Sequence, residues 1–177
     1  SLDIACAHID DQAMITLFDS FTKNNMASLT AIDLRHNTNG DEGVSALTHA
    51  VASGAFPKLQ LLLMDILEMR DGHTHLDLSS ELPSTAEVIL IGTLLSSCSF
   101  KTLQVVRLCN HSILIDQLRP ASTMVMLNLR DVRLTDVDMA FISALVGVRG
   151  ALSQLKGCLL DFNAIGDEGM RSLVSAF

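Results

Sequence analysis

The chain has 177 residues, which suits one domain of ordinary size, and 49% of them are hydrophobic, which is enough for a large core. Aromatic residues make up only 4%, with no Trp or Tyr, so that core must be built from aliphatic side chains. The net charge of −8 argues against binding to nucleic acid or to an anionic membrane surface, since both need a basic protein surface.

The sequence shows neither a membrane span nor a secretory signal. Its longest apolar run, residues 88–95, is too short to cross a bilayer, and no basic region followed by an apolar stretch opens the chain. With a large aliphatic core, this context indicates reduced thiols and a cytoplasmic protein. The cysteines form no CxxC pair and are Cys6, Cys98, Cys109 and Cys158. Because the chain begins with Ser1 and not with Met, we expect a fragment of a longer protein.

Helical spacing of apolar residues recurs along the chain. It predicts helices over residues 11–21, 42–53, 84–98 and 136–148. Ser84 and Glu87 form a capping-box pattern just after Pro83, so we expect the third helix to begin there. Asp41 and Asp167 each stand in a DEG string that opens a helix, and both are predicted to be N-caps.

Two segments of the chain match each other in one register. Residues 31–47 read AIDLRHNTNGDEGVSAL, and residues 157–173 read GCLLDFNAIGDEGMRSL. Asn37 coincides with Asn163, and the two GDEG strings coincide as well. The shared frame is L-x-x-L-x-L-x-x-N-x-I-x-D-x-G-x-x-x-L, and looser copies recur along the rest of the chain. Agreement at this many positions predicts a repeat architecture.

This frame resembles the leucine-rich repeat family, and within it the ribonuclease-inhibitor-like class. The resemblance covers nearly the whole chain and implies an α/β solenoid of about six irregular repeats in a single domain over residues 1–177. A curved parallel β-sheet would line its concave side and helices its convex side. The frame Asn would hydrogen-bond backbone groups of adjacent coils, and Gly40 and Gly166 would fit tight turns that need positive φ.

The repeat spacing is uneven in the middle of the chain. The interval from Leu59 to Leu103 is too long for one repeat, and we expect an irregular or inserted segment near residues 66–82. The third sheet strand is supplied by residues 62–64, by residues 76–78 or by both; the pattern leaves these alternatives open.

One string has the composition of a metal site. In RDGHTHLDL, residues 70–78, the side chains of His73, His75 and Asp77 would share one side of a strand. The string resembles the metal-binding strand end of the amidohydrolase family, but those enzymes are barrels of about 250 residues with further ligands downstream. Only His111 follows His75, so we expect no metal here and interpret the string as an inserted loop or hairpin.

The sequence suggests no catalytic group. Cys109, Asn110 and His111 combine a thiol, an amide and an imidazole, but adjacent residues on one short segment cannot form a relay at contact geometry. The GDEG strings lack the Lys and the spacing of a phosphate-binding loop. We therefore predict a protein that is not an enzyme and binds no cofactor.

In a leucine-rich repeat, residues between the strand leucines face the concave side, and we predict a partner-binding surface there. The predicted surface residues are Asp33, Arg35, Leu61, Leu63, Arg107, Met126, Asn128, Arg130, Leu159 and Asp161. Aliphatic side chains are unusual on a free sheet face, so Leu61, Leu63 and Met126 either contact a partner or are covered by the inserted segment. His36 and Phe162, at the strand-to-turn edge, are secondary candidates.

The function that this resemblance implies is a non-catalytic module that binds another protein through its concave sheet face and loop edges. The alternative is a GTPase-activating or other enzyme-regulatory domain similar to Ran GTPase-activating proteins, with Arg35 or Arg130 in the key role. Neither end of the chain has a polar cap, so we also expect a homodimer through the ends.

Overall fold

The computed structural model of the protein describes residues 1–24, 26–97, 100–108, 111–115, 118, 126–147 and 156–176. The helices described are α1 (Asp11–Asn24), α2 (Asp41–Ala52), α3 (Thr85–Ser96), α4 (Asp136–Gly147) and α5 (Asp167–Ser175). The strands described are β1 (Leu2–Asp3), β2 (Ala31–Asp33), β3 (Leu61–Leu63), β4 (Glu68–Arg70), β5 (His75–Leu78), β6 (Val105–Leu108), β7 (His111–Leu114), β8 (Met126–Asn128) and β9 (Gly157–Leu159).

All four helices predicted from apolar spacing are present, with small shifts at their ends. The predicted capping box is confirmed at α3: the Ser84 N–H donates to Glu87 Oε2 at 2.8 Å, and the Glu87 N–H donates to Ser84 Oγ at 3.3 Å. Two of the four N-terminal N–H groups that a helix leaves unpaired are thereby accounted for.

The core lies between the strands and a row of helices that pack in chain order, from α1 against α2 to α4 against α5. Helix α3 is apolar on nearly all sides, as suits a helix enclosed by α2 and α4. A Cβ at Gly92 would lie 2.7 Å from the Phe141 carbonyl oxygen, so this glycine permits the close approach of α3 and α4. The core is largely aliphatic, as the composition predicted.

The described strands form three separate sheets, where the sequence predicted one continuous curved parallel sheet. The first has the order β1-β2-β3-β4, the second β5-β6-β7 and the third β8-β9. Pairing is parallel throughout except for β3 with β4 and β6 with β7, which are antiparallel. The parallel strand–helix alternation is therefore present, but the expectation of one unbroken sheet is wrong.

Two hairpins explain the interruption. After β3 the chain turns back at once, and β4 takes the sheet edge at which a following parallel strand would pair. Strand β7 does the same to β6 in the second sheet. Both stretches 62–64 and 76–78 therefore contribute strands, but to different sheets, and the segment near 66–82 contains both β4 and β5.

The uneven spacing of the leucines reflects a longer structural unit. Strand β5, helix α3 and the β6–β7 hairpin each lie 44 residues after β2, α2 and the β3–β4 hairpin, as the pairs Ala31 and His75 or Asp41 and Thr85 show. The register repeats too, since Leu61 pairs with Arg70 and Val105 pairs with Leu114. The middle of the chain is thus two copies of one β-α-β-β unit.

The predicted role of the frame asparagine is confirmed. Asn37 accepts a hydrogen bond from the Ile9 N–H at 2.9 Å and donates to the carbonyl oxygens of Ile4 and Leu34, both at 2.9 Å. One side chain therefore satisfies backbone groups of two neighbouring coils at a bend where they would otherwise lack partners. Asn163 does the same, for example with the Leu134 N–H at 3.0 Å.

The predicted capping by Asp41 and Asp167 is wrong, because both residues stand inside the first helical turn. The N-caps are Gly40 and Gly166, which have no side chain to offer and whose φ angles of −100° and −95° are also not the predicted positive ones. The missing acceptor comes from the preceding coil.

Asp11 is the acceptor for α2. Its Oδ1 atom accepts the Gly40 N–H at 2.6 Å and the Gly43 N–H at 3.1 Å. Asp136 likewise accepts the Gly166 N–H at 2.6 Å. A Cβ on Gly40 would lie 2.6 Å from Asp11 Oδ2, so the first glycine of GDEG is needed for close approach of a carboxylate. Negative charge there also suits the positive end of the helix.

We predict that Gly40→Ala lowers the free energy of unfolding by about 1–2 kcal/mol, because the new methyl group displaces the Asp11 carboxylate from the start of α2. Denaturant unfolding would measure it. In an Asp11→Ala background the same change should be nearly neutral, and an equal loss in both backgrounds would contradict the explanation. Gly147→Ala is the control, since its Cβ would meet Ala176 at an ordinary 3.4 Å.

Candidate protein-binding surface

The ten predicted surface residues lie on strands or in the turns just after them, but the structure distributes them over three sheets. Asp33, Arg35, Leu61 and Leu63 belong to the first sheet and its turn, and Arg107 belongs to the second. The remaining five lie on or beside β8 and β9. The sequence therefore placed them on the right kind of element, while the structure breaks the predicted continuous face.

Burial alternates along β2, β3, β6 and β8, whereas all three residues of β9 are half-buried. Ile32, Leu62 and Val106 are fully buried, and Leu127 is 2% exposed. Their neighbours on the same strands, including Asp33, Leu61 and Asn128, are half-buried or exposed. Since successive side chains of a strand point to opposite faces, the predicted residues share the face that points away from the core.

Ion pairs run along this outward face. In the first sheet Arg35 donates two hydrogen bonds to Asp33, from Nη2 to Oδ2 at 2.6 Å and from Nε to Oδ1 at 3.0 Å. In the third sheet Arg130 Nε lies 2.9 Å from Asp161 Oδ2. Arg107 Nη1 lies 3.5 Å from Asp77 Oδ2 in the second. The outward face therefore presents charges of both signs that are already paired within the protein.

Sequence reasoning missed some members of this face. Strand β4 adds Glu68 and Arg70, whose carboxylate and guanidinium are 3.1 Å apart, on either side of the buried Met69. Strand β5 adds His75 and Asp77, which alternate with buried Leu76 and Leu78. Apolar and polar residues do alternate in these stretches of the sequence. Over only three or four residues, however, this alternation does not distinguish a strand from an inserted loop.

The aliphatic members of the face are only partly accessible. Leu61 and Leu63 are half-buried, and β4 lies beside them in the plane of the sheet. Met126 remains 50% exposed. A Cβ on Gly157 would lie 2.8 Å from the Met126 sulfur, so the Met126 side chain extends across this glycine of the neighbouring strand.

The histidine string forms part of the outward face. Asp77 accepts the Ser79 N–H at 2.9 Å, and hydrogen bonds from Ser79, followed in size by the effect of Arg107, hold the pKa of Asp77 below its ordinary value. His75 Nδ1 lies 2.9 Å from the Thr74 hydroxyl. Within the described ranges, no three His, Cys, Asp or Glu side chains are grouped so that they could hold a metal ion.

The cysteine predictions can be examined in part. Cys158 is half-buried, and burial raises the pKa of its thiol. Cys98, Cys109 and Asn110 lie outside the described residues. Among the described helices, none combines the length and the apolar character that crossing a bilayer requires.

A family model described as Leucine Rich repeat matches residues 25–47 and 160–174. These matches support leucine-rich repeats at both ranges. Both matched ranges contain a frame asparagine and a GDEG string, the features whose hydrogen bonds join neighbouring coils. A search of curated proteins finds no match to the chain. Repeats of this family generally mediate protein–protein interaction.

Each leucine-rich coil that has the full strand-to-turn geometry places a left-handed residue at the same point of the frame. These residues directly precede the frame-asparagine position and are Cys6, His36, Asp131 and Phe162, with φ between 53° and 61°. We call the row of turns that contains them the turn edge. Phe162 is 78% exposed there.

We predict that the Asp33–Arg35 pair makes stability depend on pH. Hydrogen bonding to Arg35 lowers the pKa of Asp33, so the unfolded chain binds a proton more readily than the folded one. The stabilisation is present above the ordinary Asp pKa of about 4 and is lost as pH falls through the lower folded value. Denaturant unfolding should therefore show a difference between wild type and Asp33→Asn at pH 7 that shrinks below about pH 4. A pH-independent difference would contradict this assignment.

Proposed function

We propose that this leucine-rich repeat chain is a non-catalytic module that binds another protein through the outward face of its strands and the adjoining turn edge. The observation that carries the proposal is the outward face itself. Long charged side chains and half-exposed aliphatic ones stand in rows on short parallel strands, above a fully buried aliphatic layer.

The physical properties of that face suit a macromolecular partner. Neighbouring strands lie about 4.8 Å apart, so each sheet offers a fixed, repeating spacing of side chains to an opposing surface. Exposed ion pairs contribute little to stability, but charged groups on an interface contribute to the rate and specificity of association. Leu61, Leu63 and Met126 add apolar area that a partner can remove from water.

The same contacts weigh against the GTPase-activating alternative. An arginine that stabilises a phosphoryl-transfer transition state must bring its guanidinium to the partner's nucleotide. Arg35 is held by Asp33 through two hydrogen bonds, and Arg130 is paired with Asp161. Either residue would have to leave its carboxylate first, so the geometry favours binding over catalysis.

Several finer proposals accompany the binding function. The matched asparagine and GDEG frame supports the ribonuclease-inhibitor-like class, and the net charge of −8 supports a protein partner over nucleic acid or membrane. A cytoplasmic location is supported by the reduced thiols that the sequence predicts. Exposed Met170 and Val174, at 43% and 69%, support association of two copies through the end formed by α5.

We predict that the double charge reversal Arg107→Glu with Arg130→Glu abolishes capture of a partner from a lysate of the source organism. It breaks two ion pairs and reverses two charges on the outward face, while the buried layer beneath is unchanged. Quantitative affinity capture with the full-length protein would measure the loss.

The matched control is Lys58→Glu with Lys101→Glu, which reverses two exposed charges at the opposite ends of the strands. We expect this pair to retain the partner. A partner that binds both double variants equally would rule out the outward face as the binding surface.

A further inference from the structure

Phe162 differs from the other phenylalanines that the structure describes. Phe18, Phe56, Phe100 and Phe141 are at most 4% exposed, and Phe21 packs edge-on against Phe18 and Phe56 with ring centroids 5.8 and 5.9 Å away. Phe162 is 78% exposed, in a chain that has no Trp or Tyr. Within the described residues, the chain thus leaves one aromatic side chain largely in water.

The backbone at this position makes a phenylalanine unfavourable. Phe162 has φ of 61°, in the left-handed region. There Asn, Asp and His are several-fold enriched among non-glycine residues, whereas a bulky side chain is a genuine outlier. Of the three equivalent positions, His36 and Asp131 follow this preference, while Cys6 does not but carries a small side chain. Neither core packing nor backbone geometry therefore explains the aromatic ring.

The exposure of Phe162 follows from the frame position and not from its place in the last described coil. His36 occupies the same position in a coil that is followed by another, and its side chain is still 72% exposed although its N–H donates to Asp65 at 2.7 Å. A neighbouring coil therefore leaves this point of the turn edge open.

The surroundings of the ring are apolar on one side and acidic overall. The turn that contains Asp131 and Val132 stacks on the Phe162 turn, because the Asp131 N–H donates to the Asp161 carbonyl oxygen at 3.0 Å. Val132 is 38% exposed beside it. Charges in these turns and the start of α5 leave an acidic surplus of two, from Asp131, Asp161, Asp167 and Glu168 against Arg130 and Arg133.

We propose that Phe162 is the anchor of the turn edge and packs against an apolar patch of a protein partner, with Lys or Arg at the rim of that patch. This inference rests on the proposed binding function and adds the residue and the partner chemistry. Aromatic residues, Phe among them, are enriched in protein–protein interfaces relative to the rest of the surface, and the acidic surplus around the ring complements a basic rim.

The test uses wild type and Phe162→Asn against a phage-displayed library of random linear peptides. Wild type should select peptides that carry apolar residues next to Lys or Arg, and Phe162→Asn should weaken their binding about tenfold or more. Phe162→Trp should retain binding. Leu82→Asn is the matched control: Leu82 is 91% exposed but lies in the turn before α3, so its loss should leave binding unchanged.

Thermal unfolding separates an anchor from a structural role, because Asn tolerates the left-handed region and Phe162→Asn should melt at the same temperature or higher. A lower melting temperature would show that the ring stabilises the fold and overturn the inference. Selected peptides that ignore Phe162→Asn but are lost with Arg107→Glu and Arg130→Glu would overturn it and leave the proposed function intact. A library that yields no binding peptide would count against both.

Discussion

The structure depends on one constraint: the bends between strand and helix expose backbone N–H and C=O groups that need hydrogen-bonding partners. Asn37 and Asn163 meet this constraint by bonding backbone atoms of two coils at once. Asp11 and Asp136 meet it at the helix starts by reaching forward to the next coil. Neighbouring coils therefore stabilise each other, and strands of only two to four residues become stable as a row.

A glycine stands where an aspartate of one coil lies closest to the helix start of the next coil. The GDEG string looks like a turn motif, yet its first glycine has an ordinary φ and serves to admit a carboxylate from the preceding coil. Coils without that glycine use other acceptors. Helix α3 has its own capping box, and at α4 Asp138 Oδ2 accepts the Thr135 N–H at 2.8 Å. The GDEG string therefore marks the coils whose helix start is capped by an aspartate of the preceding coil.

Sequence reasoning predicted the helices, the alternating burial and the role of the frame asparagine, because each follows from periodicity or from a side chain's hydrogen-bonding groups. It failed where the outcome depended on distant residues. No residue close to Gly40 in the sequence indicates that Asp11 will cap α2. Likewise, no residue close to Leu61 indicates that β4 will occupy the sheet edge beside it. Sequence reasoning placed the ten residues on strands or in the turns after them, but it did not predict that these strands form three sheets. Whether a hairpin strand or a parallel strand occupies a sheet edge is decided by tertiary contacts, which the local sequence does not show.

The two hairpins have a consequence for where the structure can bend. Where β4 and β7 end a sheet, no backbone ladder among the described strands continues to the next sheet, while the helices behind remain packed from α1 to α5. Bending at these two joints therefore changes side-chain packing without breaking any ladder hydrogen bond. The three described sheets are thus separate hydrogen-bonded units that share one row of packed helices.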